Sequence, residues 1–204
     1  MSKPAAVVAQ GVQPLPLPTS SVALVLVDFI NPLDFAGAQA LLAPALAAAQ
    51  ATARLKQRLA RQGVPALYAN DNYGQWHADF RDVLAHCRSL PGPRNALAEL
   101  LAPQPQDLTL LKPRHSAFFA TPLDLMLRQM GVRNIILVGL ATDMCVHFTA
   151  VDAFMRGYAL WVPHDCVAAE NTQAHQQALA HMRRTLRCRT GRSRGPGPFA
   201  LSRP

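Results

Sequence analysis

Five stretches of the chain are apolar at successive rather than alternate positions: residues 21–29 (SVALVLVDF), 64–71 (VPALYAND), 107–112 (DLTLLK), 134–140 (NIILVGL) and 158–163 (YALWVP). Short runs of this kind, rich in branched side chains, are how strands covered on both faces read. Between them the apolar spacing lengthens to three and four. Leu42, Leu46, Ala49, Ala53 and Leu59 recur at helical spacing within residues 36–62, and Gly63 supplies a stop. Further helices are predicted at residues 95–101, 122–130, 143–156 and 173–186. In the third of these Val146, Ala150, Ala153 and Phe154 share a face, and Gly157 ends it. Strand and helix alternate along the chain. That order predicts an α/β fold, a three-layer α/β/α arrangement with a mainly parallel, Rossmann-like sheet.

Right-handed crossovers bring the carboxyl ends of parallel strands to one edge of a sheet. Three such ends carry reactive side chains. Asp28 closes the first strand, Lys112 the third, and Cys145 lies just past the fourth, at the predicted start of a helix. Open α/β sheets bind ligands at that edge, and a helix N-terminus favours a thiolate. Two plainer readings compete: a free cysteine beside an apolar run is often a small buried hydrophobe, and Asp28 with Lys112 is also the makings of a simple salt bridge.

Composition changes the picture in two places. Half of the 204 residues are hydrophobic, enough for one sizeable core. No apolar stretch reaches membrane-spanning length and no secretory leader is evident, so no membrane partner is expected. The four cysteines, at 87, 145, 166 and 188, show neither metal-ligand nor disulfide-scaffold spacing, which fits a reduced, cytoplasmic setting. The net charge of +8 would suggest a nucleic-acid partner. However, Arg183, Arg184, Arg187, Arg189, Arg192, Arg194 and Arg203 lie in a stretch from residue 171 onward that has no acid, and without them the chain is within one charge of neutrality. The basicity belongs to one end. The domain reading is therefore a proline-rich extension over residues 1–20, a globular domain over 21–186, and a basic, disordered tail over 187–204 whose removal should leave stability and turnover almost untouched. An RNA-binding protein using that tail is the non-enzymatic alternative.

The residues at the sheet edge carry a resemblance. VDFINP, LLKPRHSAF and GLATDMCV resemble three separate motifs of the isochorismatase-like cysteine hydrolase superfamily, which includes nicotinamidases and N-carbamoylsarcosine amidohydrolases. The resemblance implies a catalytic triad of Asp28, Lys112 and Cys145. It also implies a cis peptide between Leu140 and Ala141, and an oxyanion hole from the backbone N–H groups of Ala141 and Cys145. It places Asn31, Ser116 and Phe118 among the substrate-binding residues of the site. The implied reaction is hydrolysis of an amide-like C–N bond of a small molecule through a thioester. An isochorismatase-type vinyl ether hydrolase is the alternative, although enzymes of that type typically lack the cysteine. A homo-oligomer is expected on the same resemblance.

The segment YANDNYGQWHADF (residues 68–80) bears on the subclass. The nicotinamidase-like members hold a divalent metal there with an aspartate and histidines. Asp71 matches the aspartate, but Tyr73 stands where the first histidine belongs, and only His77 and His86 are nearby in sequence. A site without metal or other cofactor is therefore expected, with Asn70, Asp71, Asn72 and Trp76 as substrate-binding groups. The same Asn, Asp and Gly residues also serve as ordinary turn formers. Arg114 and His115 read as a solvated loop that could attract an anion.

Overall fold

The computed structural model describes residues 15–195 and 197–199. Six strands form one parallel sheet: β1 (Val22–Val27), β2 (Ala66–Asp71), β3 (Leu108–Lys112), β4 (Asn134–Leu140), β5 (Ala159–Trp161) and the short β6 (Val167–Ala168). The order is β3-β2-β1-β4-β5, with β6 paired to the carboxyl end of β4. Six α-helices connect them: α1 (Ala38–Ala60), α2 (Phe80–Ser89), α3 (Asn95–Leu100), α4 (Leu123–Met130), α5 (Cys145–Met155) and α6 (Thr172–Thr185).

The apolar runs behave as buried strands because both of their faces are covered. In β1 every residue is buried, and alternate positions part company. Val22, Leu24 and Leu26 join the core beneath α1, α2 and α3, whereas Ala23, Val25 and Val27 join the core beneath α4, α5 and α6. The period-two geometry of a strand thus divides one greasy segment between two cores, which is the three-layer architecture the pattern predicts. Pro44 lies inside α1 but on its exposed face, where a carbonyl left without a partner can be met by water.

Two elements differ from the sequence reading. The helix α2 and the two-residue β6 were not anticipated. The start of α2 is fixed by a capping box: the Asp79 carboxylate accepts from the N–H groups of Arg81 and Asp82 at 2.6 and 3.2 Å, and Asp82 accepts from the N–H of Asp79 at 2.8 Å.

The larger difference is at the basic end. The expected disordered tail from residue 187 is ordered against the sheet over its described part. Arg189 pairs in parallel with Trp161, donating its N–H to Leu160 at 3.0 Å and accepting from Val162 at 2.8 Å. Cys188 is buried in the core under α4, α5 and α6, and the Trp161 indole donates to the Gly191 carbonyl at 3.2 Å. Ser193 gives both its N–H and its hydroxyl to Asp165, each at 2.8 Å, and its carbonyl accepts from Arg58. The boundary at 186 therefore does not divide packed chain from free chain. The physical cause is an alternation hidden by composition: Leu186 and Cys188 point inward while Arg187 and Arg189 point outward. Residues 1–14 of the expected extension, and residues 196 and 200–204, lie outside the described residues; Leu17, within the extension, packs on the core.

Candidate active site

In this strand order the chain leaves β1 towards β2 and β3 and then returns to β1's other side with β4. The carboxyl ends of β1 and β4 therefore flank the point where the connections diverge, the place where open α/β sheets form ligand crevices. Asp28 follows β1 directly. Its backbone adopts a left-handed conformation at φ 52°, and its N–H donates to Ala69 at 3.1 Å, which turns the carboxylate into the sheet edge. The residue is 4% exposed. One carboxylate oxygen accepts the Asp71 N–H at 2.8 Å, and the other lies 2.8 Å from the Lys112 ammonium.

Lys112, at the end of β3, is completely buried. A bare ammonium there would cost several kcal/mol. It is offset by Asp28, by the Asp71 carboxylate at 3.6 Å, and by a hydrogen bond donated to the Arg114 carbonyl at 3.2 Å. Its fourth neighbour is the Cys145 thiol, at 3.6 Å.

Cys145 is the first residue of α5 and is partly exposed. The approach to it is tightly built. Gly139 has φ 144°, and a methyl group on it would lie 2.1 Å from the carbonyl oxygen of Val27, so no other residue lets β4 pass so close to β1. The Leu140–Ala141 peptide is cis, as the family resemblance implies. The turn that follows is held from two sides: Thr142 donates its N–H to Ala168 at 2.8 Å, and its hydroxyl pairs with His175 of α6 at 2.8 Å. The Ala141 carbonyl accepts from Val146 at 3.2 Å, closing the first turn of α5. The N–H groups of Ala141 and Cys145 have no acceptor among the described residues.

Burial dominates the electrostatics. It lifts the Asp28 carboxyl above its usual range, against the pull of Lys112 and of hydrogen bonds from Cys145, Lys112 and Asp71. Burial also disfavours the Lys112 ammonium, but Asp28, Cys145 and Asp71 together carry it above the ordinary lysine value. The Cys145 thiol is raised by burial and by Asp28, only partly countered by Lys112. The thiol is thus held back from ionising, while the ammonium is favoured by its carboxylate neighbours.

The other sequence-predicted residues divide into two groups. Asn70, Asp71 and Asn72 stand at the end of β2, beside Asp28 and Lys112, but much of their polarity is spent on shaping the edge. Asn70 is buried and donates to the Ile30 carbonyl at 2.7 Å, leaving its own oxygen buried and unpartnered. Asp71 accepts from Tyr73 at 2.7 Å and Asn72 from Gly74 at 3.0 Å, so both build the turn. Asn31 likewise accepts the N–H of Leu33 at 2.9 Å. Trp76 is 77% exposed and packs into neither core. Ser116 and Phe118 both make contacts within the protein. The Ser116 hydroxyl donates to Asp152, two turns along α5, and Phe118 is buried against Tyr158 with the Arg156 guanidinium 4.8 Å from its ring centre. They fasten the loop after β3 to α5.

One further residue stands at the thiol. His115 places Nδ1 3.6 Å from the Cys145 sulfur and stacks on Phe148 with ring centres 5.5 Å apart. Its signal in the sequence was only its position three residues after Lys112.

The fold and the side chains at this edge can be set beside known proteins. The model of the isochorismatase domain matches residues 22–192. An uncharacterized isochorismatase family protein of Bacillus subtilis, YaaI, is 35% identical over 164 residues, covering 80% of this chain and 90% of that protein. Maleamate amidohydrolase of Pseudomonas putida is 33% identical over 166 residues, covering 77% and 76%. Among solved structures, a nicotinamidase from Staphylococcus aureus superposes with a TM-score of 0.63 at 28% identity, covering 85% of this chain and 98% of that one. A match across nearly the whole globular part, in sequence and in backbone alike, places this chain: it belongs to the isochorismatase family.

Proposed function

We propose that this protein is a cysteine hydrolase that cleaves an amide-like C–N bond of a small molecule, with Asp28, Lys112 and Cys145 as its triad. One observation carries the reading: a partly exposed thiol lies 3.6 Å from a wholly buried ammonium that is itself 2.8 Å from a buried carboxylate. The similarity to maleamate amidohydrolase and to a nicotinamidase supports the bond type.

In this mechanism Asp28 takes the thiol proton as Cys145 attacks the carbonyl carbon. The carboxyl raised by burial is suited to the task, because it is a stronger base than an exposed aspartate. Lys112 keeps Asp28 ionised in the resting site and steadies the sulfur as it becomes anionic. The N–H groups of Ala141 and Cys145 receive the oxyanion. Asp28 then protonates the departing amine, leaving a thioester for water to cleave. Asn70, Asp71, Asn72 and Trp76 border the pocket in this reading.

The residues do not fit the metal centre of the nicotinamidase-like pattern. Tyr73 replaces the histidine, and Asp71 is committed to the Tyr73 amide and to Lys112. No group of three His, Cys, Asp or Glu side chains suited to a metal occurs among the described residues. No metal-dependent step enters the mechanism. A panel of small amides, carbamoyl compounds and isochorismate, assayed with and without a chelator, tests the whole proposal. Turnover of an amide or carbamoyl compound that survives chelation is expected. Turnover of isochorismate alone would select the ether hydrolase, and loss on chelation with recovery on adding one metal would reinstate the metal.

A further inference from the structure

The Cys145 sulfur has a proton acceptor on each side of the burial boundary. Asp28 lies within, 4% exposed, with one oxygen engaged by the Asp71 N–H at 2.8 Å and the other by Lys112 at 2.8 Å. His115 lies outside, exposed, with Nδ1 3.6 Å from the same sulfur. Its ring is held rather than free: Phe148, on the first turn of α5, stacks on it at 5.5 Å and an interplanar angle of 21°. The two halves of a thioester mechanism ask for a base in different places. The first proton to move is on the sulfur itself, within reach of a buried carboxylate. The second is on a water that can enter only from solvent, through space the departed amine has vacated.

Building on the cysteine hydrolase reading, we propose that His115 is the catalytic base of the second half-reaction, receiving a proton from the water that attacks the thioester. The Nε2–H tautomer leaves Nδ1 free as the acceptor. Water oxygen bonds to the carbonyl carbon as its proton passes to Nδ1, and the oxyanion occupies the same two N–H groups. Collapse of that intermediate breaks the C–S bond and releases the acid. The imidazolium, already beside the sulfur, returns its proton to the thiolate. The proton count closes: Asp28 has passed the original thiol proton to the amine, and His115 restores one drawn from water. Asp28 and His115 each finish as they began.

The test uses p-nitrophenyl acetate as an acylating probe on the full chain, with p-nitrophenolate release followed by rapid mixing and acyl-enzyme by intact mass. Wild-type protein is expected to turn over steadily. In His115→Ala the acylation rate should stay within about threefold while deacylation falls on the order of 100-fold, the usual weight of a general base. A one-equivalent burst and acetylated Cys145 should then appear, and added imidazole should speed deacylation. His115 is exposed, so the substitution leaves the core untouched. A variant whose acylation and deacylation slow together, or whose deacylation is unchanged, overturns the assignment of His115 alone. Release of p-nitrophenolate that Cys145→Ser leaves undiminished, with no acetylated Cys145 in His115→Ala, overturns the cysteine hydrolase reading and this step with it.

Discussion

Among the described residues, two lysine–aspartate pairs are largely withdrawn from solvent, one at each edge of the sheet. Lys112–Asp28 lies at the carboxyl edge, with side chains 0% and 5% exposed; Lys56–Asp107 lies at the amino edge, at 13% and 5%. The residue types and the degree of burial are nearly the same. What differs is the company. Asp107 also accepts the Gln104 N–H at 2.7 Å, and the Lys56 ammonium lies 5.2 Å from the centre of the Tyr68 ring, so that pair is completed by a turn and an aromatic face. Lys112 faces a second carboxylate and a thiol. A buried ion pair is weak evidence of function by itself. One that includes an ionisable sulfur on the exposed side has somewhere for a proton to go.

The two pairs part most widely when the sulfur is removed. Cys145→Ser should lower turnover by at least about 1,000-fold with little change in the denaturation midpoint, because the serine hydroxyl is nearly isosteric but far harder to ionise. Lys56→Met should leave turnover within about twofold. If the two variants behaved alike in an activity assay, the distinction between the two pairs would fail.

Lys112→Met should both inactivate the protein and destabilise it by about 3–5 kcal/mol near neutral pH, the cost of stranding a buried partner. The sign of its pH dependence is fixed by Asp28. That carboxyl is raised by burial even with Lys112 present, and losing the ammonium raises it further. A group with a raised folded pKa contributes stability that is present at low pH and is lost as pH rises through that value. The deficit of the variant, measured by denaturant titration, should therefore grow from mildly acidic to neutral pH. A deficit that shrank over that interval would mean Asp28 is not the stranded group.

Truncation after Arg187 tests packing far from either pair. It removes buried Cys188, the backbone pairing of Arg189, and both bonds from Ser193 to Asp165. A loss of about 2 kcal/mol or more is expected, in line with core rather than surface changes. A loss below about 0.5 kcal/mol would return these residues to the status of a loose tail.

The smallest effect concerns the resting thiol. Burial and Asp28 hold Cys145 above the ordinary cysteine value, so its alkylation by iodoacetamide should keep rising with pH beyond 9, without the neutral-pH plateau of a pre-formed thiolate. It should still outpace Cys87, Cys166 and Cys188, which are all buried. Equal labelling of the four, read by peptide mass, would place the sulfur elsewhere than at an accessible edge.

What the sequence made legible follows from where the information resides. Strand runs and helical periods are local, so the α/β order could be read directly. Asp28, Lys112 and Cys145 could be brought together because the first two close apolar runs and the third lies just past one. Two misses were local signals passed over. Phe80, Val83 and Cys87 repeat at helical spacing behind an Asp79–Asp82 capping box, and Leu186 and Cys188 alternate with arginines. The remaining misses were not local at all. Whether Ser116 faces the thiol or Asp152, and whether His115 faces solvent or sulfur, depends on the path of the loop after β3 across α5. That path is set by contacts such as the Ala117 N–H to Thr149 hydroxyl bond at 3.0 Å, between residues 32 apart.

The strand-like course of residues 188–190 beside β5 has a consequence for how the molecule meets its own kind. A parallel sheet that stopped at Trp161 would offer a bare row of backbone donors and acceptors to any passing chain. Here Leu160 and Val162 are already paired with Arg189. The outward side chains on that rim are arginines, whose like charges repel the same rim of a second molecule. A protein clipped before Cys188 should scatter light and precipitate at concentrations where the intact chain stays dispersed, and more so as added salt screens the charge that is left.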